Sequence, residues 1–141
     1  MAFIKDSDQG VIREKLRPMG GAVTLRFFTQ EVECDFCRET RELLEELRAL
    51  DGRIRLEVFD FKSDAEVALR CGVDKIPATV VANSRDYGIR FYGIPAGYEF
   101  SSLLEAIVMV SRGESGLAQE SKSLLRGITS PVHLQVFVTP T

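Results

Sequence analysis

The sequence predicts an α/β fold in which a four-stranded mixed sheet is flanked by helices. Three patterns predict it. Val23–Thr29 is almost continuously apolar or β-branched, as expected of a strand buried on both faces. A helical run, Arg38 to Leu50, then carries Leu43, Leu44, Leu47 and Leu50 on one stripe and leads into a second strand, Ile54–Phe61, so the two strands run parallel across a helical crossover. Two short strands, Thr79–Ala82 and Ile89–Tyr92, flank the turn-rich segment Asn83–Gly88 and make an antiparallel hairpin.

The remaining elements follow from local chemistry. An extra N-terminal helix, Asp8 to Leu16, places Ile12 and Leu16 one turn apart and stops before Pro18, with Gly20-Gly21 as the turn. Asp51-Gly52 ends the long helix. Ser63 and Glu66 have the spacing of a capping box and open a short helix through Leu69, which Gly72 closes. The last amphipathic helix, Phe100 to Ser111, gathers Leu103, Leu104, Ile107 and Val108 on one side. Residues 1–113 therefore form one unit, and 114–130 read as a linker with a short helix around Leu124-Leu125.

Composition narrows the classes of function. At 141 residues, 45% hydrophobic and 28% charged, the chain supports an ordinary core without disulfide staples. Three cysteines are too few for a secreted scaffold and point to a reducing compartment, the cytoplasm by default. A net charge of −3 with both signs mixed along the helices argues against a nucleic-acid partner. The longest apolar stretch, Ala106 to Val110, is far short of the roughly 18 residues of a membrane span, and no signal peptide is visible.

The chemistry concentrates at Cys34 and Cys37, where strand gives way to helix. Unpaired N–H groups at a helix N-terminus stabilise a thiolate, and a second thiol one turn later captures a mixed disulfide. Cys34 is thus expected to attack and Cys37 to resolve, with no bound cofactor or metal required. Glu33 and Asp35 oppose the negative sulfur, whereas Arg38, about one turn on, attracts it, so a moderately lowered thiol pKa is expected. Half of a zinc site and a pair of inert thiols are the alternatives. Zinc wants four ligands, and the chain offers only Cys71, His133 and carboxylates to complete them. Cys71 reads better as a small packing residue, His133 as solvent-facing, and the three tyrosines as packing for the hairpin.

Two runs carry a family resemblance: Cys34-Asp35-Phe36-Cys37 at the strand–helix junction, and Gly72-Val73-Asp74-Lys75-Ile76-Pro77-Ala78-Thr79 leading into the hairpin. Together they resemble the thioredoxin superfamily over residues 22–113. The runs Asp74–Thr79 and Tyr87–Pro95, with Gly97-Tyr98-Glu99-Phe100, are more closely similar to the N-terminal half of the glutaredoxin-like protein disulfide oxidoreductases of thermophilic prokaryotes. Such proteins hold two tandem thioredoxin-like units, each with its own Cys-x-x-Cys.

The resemblance implies a thioredoxin-like fold and thiol–disulfide exchange with protein substrates, recharged by a thioredoxin-reductase-like flavoprotein or another dithiol. It implies a cis bond at Ile76-Pro77, leaving the Ile76 backbone to pair with an extended substrate beside Cys34. The buried carboxylate often found six residues before the first cysteine is replaced by Phe28, which leaves Asp60 as the nearest substitute for a proton relay. Asp35-Phe36 matches neither the Gly-Pro of thioredoxin nor the Pro-Tyr of glutaredoxin, and Phe91–Pro95 lacks the Gly-Gly pair that holds glutathione. Residues 131–141 echo the first strand: Val132, Leu134 and Phe137 stand at the offsets of Val23, Leu25 and Phe28. They are expected to be the C-terminal strand of an incomplete second repeat, the chain being an N-terminal fragment or truncated form, with homodimerisation through that strand. A catalytically weak docking or scaffold half of a two-unit redox protein is the rival to the enzyme.

Overall fold

In the computed structural model, which describes residues 2–139, the first strand β1 (Val23–Thr29) occupies the middle of the sheet. On one side it pairs in parallel with β2 (Ile54–Asp60), and on the other antiparallel with β3 (Ala78–Ala82), which pairs antiparallel with β4 (Asp86–Tyr92). The order β2-β1-β3-β4 is the mixed sheet that the sequence predicts. Helices α1 (Asp6–Leu16), α2 (Cys37–Leu50), α3 (Ala65–Arg70) and α4 (Tyr98–Arg112) surround it, and α5 (Gln119–Leu125) follows.

Because side chains alternate across a pleat, β1 feeds two cores. Val23, Leu25 and Phe27 join Leu43, Leu44 and Leu47 of α2 and Leu103, Leu104 and Ile107 of α4. Phe28 faces the other way, among Ala68, Cys71, Val73, Ala78 and Val80, with its ring stacked 5.3 Å from that of Phe59. Both phenylalanines are fully buried. Cys71 is a free, buried cysteine, in keeping with a packing role.

The leading helix is tied to the body by polar clamps as well as by Ile12 and Leu16. Glu46 accepts hydrogen bonds from the backbone N–H groups of Phe3 and Ile4, and Arg13 donates to the Leu50 carbonyl. Arg53 donates to the carbonyls of Leu16 and Met19 while pairing with Asp51 at 2.6 Å.

Two local expectations change. The capping box at Ser63 does not form: Asp64 is the N-cap, and Asp60 and Asp64 take up the turn's donors reciprocally, Asp64 accepting from Asp60 N–H and Asp60 from Lys62 and Ser63 N–H. At the other end Gly72 does close the helix. Its φ of 64° is left-handed, with Gly72 N–H bonded to the Leu69 carbonyl and Val73 N–H to that of Ala68. The second correction is the tail, whose described residues 131–139 are exposed and form no strand. A strand exists only through its ladder partners, and no described strand pairs with them. Residues 1, 140 and 141, at the outer ends of the two expected segments, lie outside the described residues.

Arg90 on β4 locks α3 to the sheet, donating to the Cys71 carbonyl at 3.1 and 2.8 Å and pairing with Asp86 at 2.5 Å. The guanidinium holds the Asp86 carboxyl down at about 2, assisted by the Gly88 N–H. A folded-state value below that of the unfolded chain means that the pair stabilises fully above about pH 4 and is lost as pH falls through about 2. Asp86→Asn should therefore cost about 1 kcal/mol at pH 7, a figure reduced for partial solvent exposure. Urea midpoints measured from pH 7 to pH 2 should show the gap between variant and parent closing; a gap of constant size would contradict the assignment.

Candidate redox site

After β1 the chain turns into α2 through a loop held by its own polar groups. Gln30 donates from Nε2 to the Val32 carbonyl at 2.8 Å, and Thr40, buried in the first turn of α2, donates its hydroxyl to the Phe36 carbonyl at 2.6 Å. Glu33 and Phe36 both adopt left-handed backbone, with φ of 55° and 64°. For a bulky residue such as phenylalanine this conformation is uncommon, and it stops the helix from extending backward. The helix consequently starts at Cys37.

Cys34 and Cys37 are joined as a disulfide with their Cα atoms 5.7 Å apart. Their surroundings differ. Cys37 is buried at 3% exposure under the first turn of α2, while Cys34 is partly exposed in the loop. Cys34 borders a cleft of about 520 Å³ whose lining also includes Glu31, Asp35, Phe36, Cys37, Arg38 and Arg41. Phe36 and Val32 present their side chains to solvent at 59% and 64% exposure.

The register of the sheet brings a second loop to the same end. Phe28 pairs with Ala78, so the residue just before β3, Pro77, lies one step beyond, level with Thr29 at the root of the cysteine loop. The Ile76-Pro77 peptide is cis. Pro77 is buried and Ile76 partly so, and the Pro77 carbonyl accepts from Gly93 N–H at 2.9 Å, which extends the β3–β4 ladder.

This geometry has counterparts among known proteins. The chain matches a protein disulfide oxidoreductase from Aeropyrum pernix K1 with a TM-score of 0.77 and 27% identity, covering 90% of this chain and 56% of that one. It matches the alkylhydroperoxide reductase AhpF from Enterococcus faecalis with a TM-score of 0.78 and 25% identity, covering 86% of this chain and 59% of that one. This is a thioredoxin-like unit. A thioredoxin from Fasciola hepatica shows the same fold, with a TM-score of 0.54 and 21% identity over 78% of this chain and 99% of that one. Among curated sequences, the corresponding alkyl hydroperoxide reductase component of Staphylococcus epidermidis is 28% identical over 107 residues, 76% of this chain and 19% of that protein. The unit thus spans a little over half of the first two solved chains and about a fifth of that curated relative. No protein-family model matches it.

The thioredoxin-like unit departs from the sequence expectations at three residues. Cys34 lies before the helix and not in its first turn, because left-handed Phe36 intervenes. Arg38 is spent on its own helix face, 3.3 Å from Glu39 and 3.9 Å from Glu42, and stands largely in solvent. Asp60 does sit at the end of β2, level with Thr29, but its carboxylate is engaged by the Ser63 and Lys62 N–H groups, which hold its pKa below the usual carboxylate range. Among the described residues no hydrogen bond joins it to either cysteine, and beneath the site Phe28 makes the interior apolar.

Other side chains emerge only from the structure. Gln30 and Thr40 brace the loop, and Thr79, two residues after Pro77, is fully buried with a hydroxyl that has no partner among the described residues. Tyr98 is 81% exposed and does not pack the hairpin. Among the described residues no three His, Cys, Asp or Glu side chains group as a metal site.

Since Arg38 is exposed and already paired, its field at Cys34 is screened. Arg38→Gln in the reduced protein should move the pH midpoint of Cys34 alkylation by less than about 0.3 unit. A shift of about one unit or more would show that the guanidinium does reach the sulfur.

Proposed function

We propose that this unit is a protein dithiol–disulfide oxidoreductase in which Cys34 attacks and Cys37 resolves. The observation that carries the reading is the unequal exposure of two sulfurs within bonding distance on one cleft: Cys34 is partly exposed in the loop, and Cys37 is buried at the start of α2. An incoming disulfide meets Cys34 first. In the reductive direction the Cys34 thiolate attacks one substrate sulfur and forms a mixed disulfide, and the other substrate sulfur leaves as a thiolate. Cys37, deprotonated to solvent, then attacks the Cys34 sulfur, closes the Cys34–Cys37 bond and releases the second substrate thiolate. The substrate gains two electrons and the unit loses two.

Around this pair the reading places the Ile76 backbone, beside Pro77, as the edge on which an extended substrate lies. A dithiol returns the two electrons, and a thioredoxin-reductase-like flavoprotein is the proposed donor. Three cysteines, one of them buried and free, suit a reducing cytoplasm. No helix among the described residues is long and apolar enough to cross a membrane.

The test is direct. Cys34→Ser should lower insulin-disulfide reduction by at least about a hundredfold, and Cys37→Ser should accumulate substrate mixed disulfide on Cys34, seen by mass spectrometry. Turnover that survives both substitutions would remove the proposal.

One observation favours the docking reading as a second possibility: residues 131–139, whose sequence echoes β1, are exposed and apolar, as an element of a second unit would be. On that reading this unit positions a neighbouring redox unit and reacts slowly itself. Within it the tail also carries homodimerisation, which concentration-dependent light scattering measures.

A further inference from the structure

The segment that runs from the cysteine loop into α2 is strongly and unevenly charged, and of it Glu31, Asp35 and Glu39 line the cleft together with Arg38 and Arg41. Residues 31–45 hold six carboxylates and two arginines, a net −4, whereas the whole chain carries −3, so the remainder is close to neutral. Both arginines are already paired on α2, Arg38 with Glu39 and Glu42, and Arg41 with Glu45 at 2.9 Å. Glu31, Glu33 and Asp35 are exposed and have no ion-pair partner among the described residues, and they bracket Cys34 in the chain. Across the site, Asp74 and Lys75 neutralise each other at 3.0 Å. The loop after β2, at the same end of the sheet, carries Lys62, exposed and without an ion-pair partner among the described residues, but Asp60 and Asp64 accompany it, so that loop too is net negative. Val32, between Glu31 and Glu33, and Phe36, next after Asp35, add exposed apolar side chains.

We infer that this surface selects its substrates by charge, taking protein cystines flanked by lysine or arginine and an apolar residue, and turning away anionic disulfides. The inference rests on the redox reading of Cys34 and names its substrate class. A cationic chain segment is drawn toward Glu31, Glu33 and Asp35, which raises the encounter rate and orients the disulfide over Cys34, while its apolar neighbour covers Val32 and Phe36. An anionic disulfide meets repulsion on approach. It meets it again in the transition state, where negative charge spreads over three sulfurs beside the same carboxylates.

The experiment uses the reduced chain and three small probes: cystamine, which is dicationic; hydroxyethyl disulfide, which is neutral; and oxidised glutathione, which is anionic. Each rate constant is divided by that of the same disulfide with dithiothreitol, which removes differences in intrinsic reactivity. At about 10 mM ionic strength the normalised cystamine rate should exceed that of oxidised glutathione by about tenfold or more, shrinking below about threefold near 0.5 M salt. Combining Glu31→Gln, Glu33→Gln and Asp35→Asn should collapse the ratio at low salt. Taking a ratio cancels any change in the thiolate population. Glu120→Gln, on α5, should leave it intact. A cystine peptide flanked by lysines should outpace its glutamate-flanked counterpart in the same way. Equal normalised rates that ignore salt would overturn charge selection while leaving the redox reading standing; no reaction with any probe would overturn both.

Discussion

β1 is occupied on every side: β2 and β3 pair with its two edges, and its faces carry Phe27 into one core and Phe28 into the other. A strand so constrained cannot slip by one residue, because a slip would exchange the two phenylalanines between cores built to different shapes. Its register sets where the site forms. The strand delivers the cysteine loop from its C-terminal end, and its antiparallel partner β3 starts at that same end, directly after Pro77. Its parallel partner finishes there with Asp60. Three loops thus converge at one end of the sheet without any of them needing internal order beyond a few hydrogen bonds.

Within that frame the division between the two sulfurs comes from a single backbone choice. With Phe36 left-handed, the first helical hydrogen bond runs from Thr40 N–H back to the Phe36 carbonyl at 2.9 Å, and Cys37 becomes the first helical residue. Cys37 is thereby packed beneath the turn while Cys34 stays in the loop. A helix that began at Cys34 would bring both thiols onto regular helical positions and make their exposure more alike. The Thr40 hydroxyl bond to the same Phe36 carbonyl reinforces the break, since it gives that carbonyl a second partner inside the first turn.

Much of this was legible before any coordinates. The first strand, the long α2 stripe, the Gly72 terminus and the Cys34–Cys37 pair are written in patterns a few residues long, where local chemistry and tertiary packing agree. What was hidden depends on partners distant in sequence. β4 begins at Asp86 and not at Ile89, because Asp86 pairs with Ala82 while Tyr87 and Gly88 are carried in a register irregularity that no local pattern announces. Ser63 had the spacing of a cap, yet Asp60 and Asp64 compete better for the same donors. Arg38 lay within reach of Cys34 in sequence, but its guanidinium pairs with Glu39 and Glu42 on its own helix. Gln30 and Thr40 left no signal at all, since a loop brace carries no chemistry of its own.

The carboxylates around Cys34 pose an energetic question: negative charge beside a nucleophilic thiolate ought to impair it. The loss is smaller than it first appears. Raising a thiol's pKa by one unit removes at most about tenfold of the thiolate, but the surviving thiolate is a stronger nucleophile by about threefold, given a Brønsted coefficient near 0.4–0.5. The net penalty on attack is therefore about threefold. It falls equally on every substrate, whereas charge at the rim acts with opposite sign on cationic and anionic ones and at low ionic strength is expected to separate their rates by about tenfold or more. For a cationic partner the second effect offsets the first, and for an anionic one both act against reaction. Charges that would be a defect in an indiscriminate reductant become, at this site, a means of choosing what is reduced.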